Sequence, residues 1–141
     1  MFKVLFATDG SENSIRAARH LCRLAKEHPA MAVTVVHVVD PTHTLAVPAW
    51  TNPKEVEQQV EEWARGAMQR TLKVFKEAGV DVESSIVHGK AGETIVEMAK
   101  RHGFDQIVLG TRGQTRPHGL VLGTVSQQVM HLTETPLTLV K

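Results

Sequence analysis

The apolar residues of this chain form short unbroken runs, separated by stretches in which apolar positions recur every three or four residues. Each run is short and rich in bulky or β-branched side chains, which is typical of a buried strand. The five runs span residues 2–7, 33–39, 80–87, 105–110 and 137–140. The stretches between them predict helices over residues 11–28, 54–78, 93–102 and 125–132. The third run alternates more weakly, so we expect it at an edge of the sheet.

Strands and helices therefore alternate from one end of the chain to the other. Apolar strands that do not alternate in polarity are typical of a parallel sheet covered on both faces, with right-handed crossovers. We predict an α/β fold, a doubly wound five-stranded parallel sheet with helices on both faces, forming one domain over residues 1–141. Such sheets bind ligands at the carboxyl ends of strands where the winding changes direction.

The segment after the fourth predicted strand carries the most informative pattern. Glycines at Gly110, Gly113 and Gly123 let a backbone approach a ligand closely, and a helix N-terminus follows them. No Asp or Glu occurs between Gln106 and Thr133, so the local charge is positive. Phosphate is the natural ligand of such a segment. The alternative is that the glycines only close turns and the nearby hydroxyls only cap the helix, and the residues alone favour neither interpretation.

The glycines fit the pattern Gly-x2-Gly-x9-Gly-Ser/Thr, through Gly110, Gly113 and Gly123-Thr124, and with it the chain resembles the universal stress protein family. The resemblance extends over the whole chain. Its other matching segments are Ala7-Thr8-Asp9-Gly10-Ser11 after the first strand, His37-Val38 in the second, Gly89 after the third, and Gly123-Thr124-Val125-Ser126 before Pro136.

The resemblance implies a Rossmann-like fold and an ATP site, with Mg²⁺ held through the phosphates. In family members that bind ATP, the glycine loop holds the ribose and phosphates, while the Asp after the first strand and the backbone of the second hold adenine. The resemblance also implies a homodimer formed through the C-terminal strand. The cofactor-binding residues expected here are Ala7, Thr8, Asp9, Val38, Gly89, Gly110, Arg112, Gly113, Gly123, Thr124, Val125 and Ser126.

Several other sites are disfavoured by spacing. The segment Gly89-Lys90-Ala91-Gly92 lacks the spacing of a Walker P-loop, and no Gly-x-Gly-x-x-Gly follows the first strand, which disfavours NAD. The eight histidines form no metal-ligand cluster, so we expect no metal site in the protein. We expect His37 to be a core histidine with a satisfied partner. Taken alone, Asp9 is read as a cap of the first helix; with the resemblance, a ligand contact is favoured.

The composition also limits the classes of protein to which this chain could belong. The chain has 141 residues, 42% of them apolar and 22% charged, as in an ordinary soluble domain. A net charge of +1 gives no reason to expect nucleic-acid binding. The longest apolar stretch, residues 30–39, is too short to span a membrane, and no targeting segment is recognised. A single cysteine, Cys22, fits a reducing compartment, so we expect a cytoplasmic protein.

The leading hypothesis is a small ATP-binding universal stress protein that acts as a nucleotide-dependent regulator in the stress response, through an unknown protein partner. An alternative is slow ATP hydrolysis or phosphoryl transfer at the same loop, for which no convincing general base is found and no catalytic residue is assigned. A third is a dimeric interaction module without nucleotide, which pairs through the exposed edge of the final strand, Leu137 to Val140.

Overall fold

Five strands and four α-helices are formed by the described residues of a computed structural model, which are residues 1–41, 50–112 and 122–141. The strands are β1 (Phe2–Ala7), β2 (Met31–Val39), β3 (Glu83–His88), β4 (Gln106–Gly110) and β5 (Leu137–Val140). The helices are α1 (Glu12–Glu27), α2 (Pro53–Glu77), α3 (Ala91–Arg101) and α4 (Thr124–Leu132). The bounds of β1 and β5 agree with the prediction to the residue.

The strands form one parallel sheet in the order β3-β2-β1-β4-β5. The chain winds outward from β1 through β2 to β3, then returns to the other side of β1 for β4 and β5. The winding therefore changes direction between β1 and β4. This order confirms the predicted doubly wound sheet and the edge position of β3.

Two hydrophobic cores lie on opposite faces of the sheet. On one face α1 and α2 cover β1, and Phe6 packs against Phe75 with ring centroids 6.2 Å apart. On the other face α3 and α4 cover Leu5 of the same strand. Cys22 lies in the first core, where burial raises the pKa of its thiol against the opposing charges of Lys26 and Arg23. Cys22 is therefore a protonated core side chain.

The longest helix, α2, begins at Pro53, one residue before the predicted start at residue 54. Pro53 occupies the first turn of the helix, where its missing N–H costs nothing. Asn52 caps the helix by accepting the Lys54 N–H at 2.9 Å. Within the three described ranges, no helix combines the length and the apolar character needed to cross a membrane.

Strand β3 begins at Glu83, three residues later than predicted. The residues before it close α2 instead: Gly79 has a positive φ of 72°, and the Val80 N–H donates to the Phe75 carbonyl at 2.9 Å. This bond is the C-terminal motif that ends many helices, so Val80 is not available to the sheet. Its apolar side chain packs against the core from that position. In the sequence, Val80 therefore looks like part of the apolar run that predicts the strand.

Candidate functional site

The change of winding direction brings two strand-to-helix junctions together at the carboxyl edge of the sheet. After β1 the chain passes through Thr8, Asp9 and Gly10 into α1. At the end of β4, the Asn13 side-chain amide of α1 reaches the Thr111 hydroxyl at 3.3 Å. The Thr111 carbonyl in turn accepts the Gly123 N–H at 2.6 Å, which ties the start of α4 to the end of β4. The starts of α1 and α4 are therefore neighbours.

Asp9 organises the first turn of α1. Its Oδ1 accepts the Ser11 N–H at 2.9 Å and the Ser14 hydroxyl at 2.8 Å. Ser11 is the N-cap residue, and its hydroxyl accepts the Ser14 N–H at 3.3 Å. These bonds confirm that Asp9 acts as a cap of this helix. The ligand contact expected for Asp9 stays a prediction, and Asn13 is a buried residue within the helix.

The Thr8 side chain is directed into the protein. Thr71 Oγ1 donates to the Ala67 carbonyl at 2.9 Å, so Thr8 Oγ1 is the donor in the 2.7 Å bond between the two threonine hydroxyls. Thr8 Oγ1 also accepts the Gly10 N–H at 3.1 Å. Both hydroxyls are buried. The Thr8 hydroxyl therefore joins the β1–α1 turn to α2 and is not directed toward a ligand.

Strand β2 extends past the end of its pairing with β1. The last paired residues are Ala7 and Val36, whereas β2 continues beside β3 to Val39. The Val36 carbonyl accepts the Thr8 N–H, and the Val39 carbonyl accepts the Gly89 N–H. Because backbone groups alternate in direction along a strand, the Val38 peptide faces the β1 side, beyond the last ladder pair. Val38 thus presents its backbone beside the β1–α1 turn.

His37 of β2 makes a side-chain contact with Thr8, the residue that follows β1. Its Nδ1 lies 2.7 Å from the Thr8 carbonyl oxygen, and since a carbonyl only accepts, Nδ1 carries the proton. The ring is partly buried. This bond confirms the prediction that His37 has a satisfied partner.

The residues after β3 are arranged around a different helix. Gly89 has a φ of +155°, and a Cβ there would lie 2.6 Å from the Thr94 hydroxyl oxygen. Asp40 Oδ2 accepts the Ala91 N–H at 2.8 Å and caps α3 from the end of β2. Two strand spacings, about 10 Å, separate β3 from β1. Gly89 is therefore not among the residues that meet between β1 and β4, and sequence reasoning missed the buried Asp40.

Gly110 and Ser126 serve the packing of the junction. A Cβ on Gly110 would lie 2.9 Å from Asn13 Cβ and 3.0 Å from the Asn13 carbonyl carbon, so the glycine lets β4 approach α1. The buried Ser126 hydroxyl donates to the Gly110 carbonyl at 2.8 Å. This bond holds the first turn of α4 against the end of β4. Both residues have a structural explanation that needs no ligand.

The N-terminus of α4 differs from those of the other helices. Gly123 is its N-cap residue, with a φ of −76° that any residue adopts, and Thr124 is exposed beside it. Among the described residues, no side chain caps this helix, and its first turn contains no acid. Val125 is half-buried, and Arg112 is half-buried at the end of the described part of the loop. Gly113, the remaining expected residue, lies outside the described residues.

An uncapped helix N-terminus carries about half a positive charge and several N–H donors, a combination that binds anions. The fold and this edge together define a doubly wound α/β protein in which the N-terminus of α4 lies where the winding changes direction. The sequence model of the universal stress protein family matches residues 1–141. The chain belongs to that family.

Relatives match over nearly the whole chain. Universal stress protein MJ0531 of Methanocaldococcus jannaschii is 32% identical over 139 residues, which cover 99% of this chain and 81% of that protein. A universal stress protein of Thermus aquaticus is 35% identical over 147 residues, all of both chains. The solved structure of MJ0577, also from M. jannaschii, superposes with a TM-score of 0.83 at 29% identity, covering 99% of this chain and 94% of that one.

More distant structures of the same fold contain nucleotides. A universal stress protein in complex with cAMP has a TM-score of 0.71 and 22% identity, with coverage of 99% of this chain and 97% of that one. The Archaeoglobus fulgidus protein in complex with dAMP has a TM-score of 0.71 and 18% identity, with coverage of 100% and 98%. An Arabidopsis thaliana family member with AMP bound has a TM-score of 0.67 and 20% identity, with coverage of 100% and 92%.

Proposed function

We propose that this protein binds an adenine nucleotide, ATP with Mg²⁺, where β1 and β4 meet. The observation that carries the proposal is the N-terminus of α4, which has no side-chain cap and no acid among the described residues and is bonded to Thr111, the residue before Arg112. Thr124, exposed on the first turn, adds a hydroxyl for a phosphate oxygen. The phosphates would lie at this helix, where the peptide dipoles and the guanidinium favour negative charge.

The residues on the opposite side of the site fit an adenine base. The Watson–Crick edge of adenine has an acceptor at N1 and a donor at N6, which a peptide N–H and C=O match. Val38 offers such a pair on the β1 side of β2, past the last residue that β1 pairs with. Asp9, in the turn beside it, adds a carboxylate for a base or ribose donor. Ala7 is the last residue of β1 before this turn, and in this proposal its backbone lines the site.

The ligands of related proteins support the adenine assignment. The three distant neighbours named above contain AMP, dAMP and cAMP, which share an adenine base and at least one phosphate. Among the described residues, no group of three His, Cys, Asp or Glu side chains is arranged to hold a metal ion. Magnesium would then arrive with the phosphates of ATP, where it neutralises part of their charge.

In this proposal the nucleotide regulates the protein by linkage. A ligand shifts an equilibrium between two states only by the difference in its affinity for them. The states here would be a homodimer paired through the edge strand β5 and a form with another protein partner, in a cytoplasmic stress response. The position of β5 at the edge of the sheet supports such pairing.

The proposal is tested by placing a negative charge at the start of α4. We expect Mg-ATP to bind the wild type in calorimetric titrations, and Thr124→Glu to weaken that affinity by about tenfold or more, which is about 1.4 kcal/mol. An acid at this position favours the helix dipole, so the variant should be at least as stable as the wild type. The loss would then come from repulsion of phosphate and not from unfolding.

Gln69→Glu is the matched control, because it adds the same charge on an exposed position of α2. Its affinity for Mg-ATP should stay within about twofold of the wild type, since exposed charges at a distance are screened. Absence of binding to the wild type at millimolar ATP would contradict the proposal. Equal affinities of the two glutamate variants would contradict the position given to the phosphates.

A further inference from the structure

The Thr8 carbonyl has an unusual donor for the end of a parallel strand. In a regular ladder, a residue that donates its N–H to one carbonyl accepts from the residue two positions further along the partner strand. Thr8 donates to the Val36 carbonyl at 2.9 Å, so its own carbonyl would accept the Val38 N–H. Instead it accepts the His37 Nδ1–H at 2.7 Å, and within the described residues no bond from Val38 to Thr8 is found.

We propose that His37 is a positioning residue for the adenine base. Its imidazole N–H satisfies the Thr8 carbonyl, ends the β1–β2 ladder one bond early, and leaves the Val38 peptide to bind the base. This inference rests on the proposed nucleotide site and adds to it a reason for the availability of Val38. A partly buried carbonyl without a donor is costly, so without the imidazole the Val38 N–H is the nearest replacement.

The turn around Thr8 is held by two contacts, one from α2 and one from β2. The Thr8 hydroxyl is bound to Thr71 of α2, while the Thr8 carbonyl is bound to His37 of β2. The turn cannot follow a change at one contact without straining the other. Loss of the imidazole should therefore leave the turn in place and alter only the partner of the Thr8 carbonyl.

Asparagine and glutamine separate this role from a general packing role. The amide nitrogen of Asn occupies about the position of histidine Nδ1, whereas that of Gln is one bond further out, like Nε2. His37→Asn should keep the bond to Thr8, and His37→Gln and His37→Ala should lose it. The three variants differ little in charge.

The first readout is hydrogen exchange at the Val38 amide, measured by NMR on protein without nucleotide. In the wild type and His37→Asn we expect fast exchange, because the amide has no ladder bond. In His37→Ala we expect exchange slowed by about tenfold or more as Val38 pairs with Thr8. Unchanged exchange in His37→Ala would overturn the inference, whether or not the protein binds nucleotide.

The second readout is affinity for Mg-ATP beside affinity for inorganic tripolyphosphate, which has no base. His37→Ala and His37→Gln should lose about fivefold in ATP affinity, the value of one hydrogen bond, while His37→Asn stays within about twofold. Tripolyphosphate affinity should not change in any of the three. Equal losses for both ligands, or no rescue by asparagine, would overturn the role of His37. A wild type that binds neither ligand would contradict the proposed function, and the exchange measurement would still decide the inference.

Discussion

The two junctions that meet at the edge of the sheet, β1–α1 and β4–α4, solve the same problem in different ways. Both begin a helix directly after a parallel strand, so both concentrate unpaired N–H groups there. At β1–α1 side chains satisfy two of them, since Asp9 accepts the Ser11 N–H and Ser11 accepts the Ser14 N–H, and the first turn holds the acid Glu12. At β4–α4 the described residues offer no side-chain cap and no acid. The first junction therefore neutralises part of its helix end with its own side chains, whereas among the described residues the second does not.

The glycines of the two junctions show the same difference. Gly10 has a φ of +75°, and a Cβ there would lie 2.7 Å from the Ala67 Cα, so packing and backbone both require it. Gly123 has a φ of −76°, a conformation open to any residue. Its backbone conformation gives no reason for a glycine. In the proposed site, a glycine at this position would let a ligand approach the backbone closely.

The largest expected effect comes from Gly10→Ala, which disrupts the β1–α1 junction. A left-handed φ costs a residue with a Cβ about 1–2 kcal/mol, and overlap with the α2 backbone adds about 1–3 kcal/mol. We expect the free energy of unfolding in urea to fall by about 3 kcal/mol. Gly79→Ala is the matched control, because Gly79 has a φ of +72° with open space around it. Equal losses in the two variants would show that α2 can move away from the turn.

A smaller loss is expected from Thr8→Val, which keeps the shape of the side chain and removes its hydrogen bonds. The Gly10 N–H loses its acceptor and Thr71 loses its donor, at a cost of about 1–2 kcal/mol in the free energy of unfolding. Affinity for Mg-ATP should stay within about twofold, because the hydroxyl is directed toward α2. Since Thr71→Val disrupts the same bond, the double variant should lose less than the sum of the two. A clear loss of ATP affinity in Thr8→Val would show that the Thr8 hydroxyl contributes to nucleotide binding.

The order of the elements could be read from the sequence, because it depends on local period. The apolar runs of β1 and β5 are bounded by turn and proline signals within a few residues. The contacts that decide what each site residue does are not local. Thr8 is bound by Thr71, 63 residues away, and Ala91 is capped by Asp40, 51 residues away. No periodicity indicates such pairs.

The same reason limits what the glycine pattern could predict. The spacing of Gly110 and Gly123 indicates a loop between a strand and a helix, and the structure places the two glycines at the end of β4 and the start of α4. That Gly110 packs against Asn13, and that Ser126 binds the Gly110 carbonyl, follows only from the three-dimensional neighbours. Gly110 and Ser126 of the predicted site therefore have a role in packing. For the other residues of that site, ligand binding stays a prediction.

The smallest effect is expected from a change of charge at the start of α1. Glu12→Gln removes the acid from the first turn of α1 and makes that helix more like α4. Because Glu12 is exposed, we expect a loss of about 0.3–0.5 kcal/mol in the free energy of unfolding, from a weaker interaction with the helix dipole. In about 1 M NaCl, where the screening length falls to about 3 Å, the loss should nearly disappear. Mg-ATP affinity should not fall, since the removed charge is negative. A loss that persists in high salt would mean that Glu12 contributes through packing, and the charge difference between the two junctions would then explain less of their behaviour.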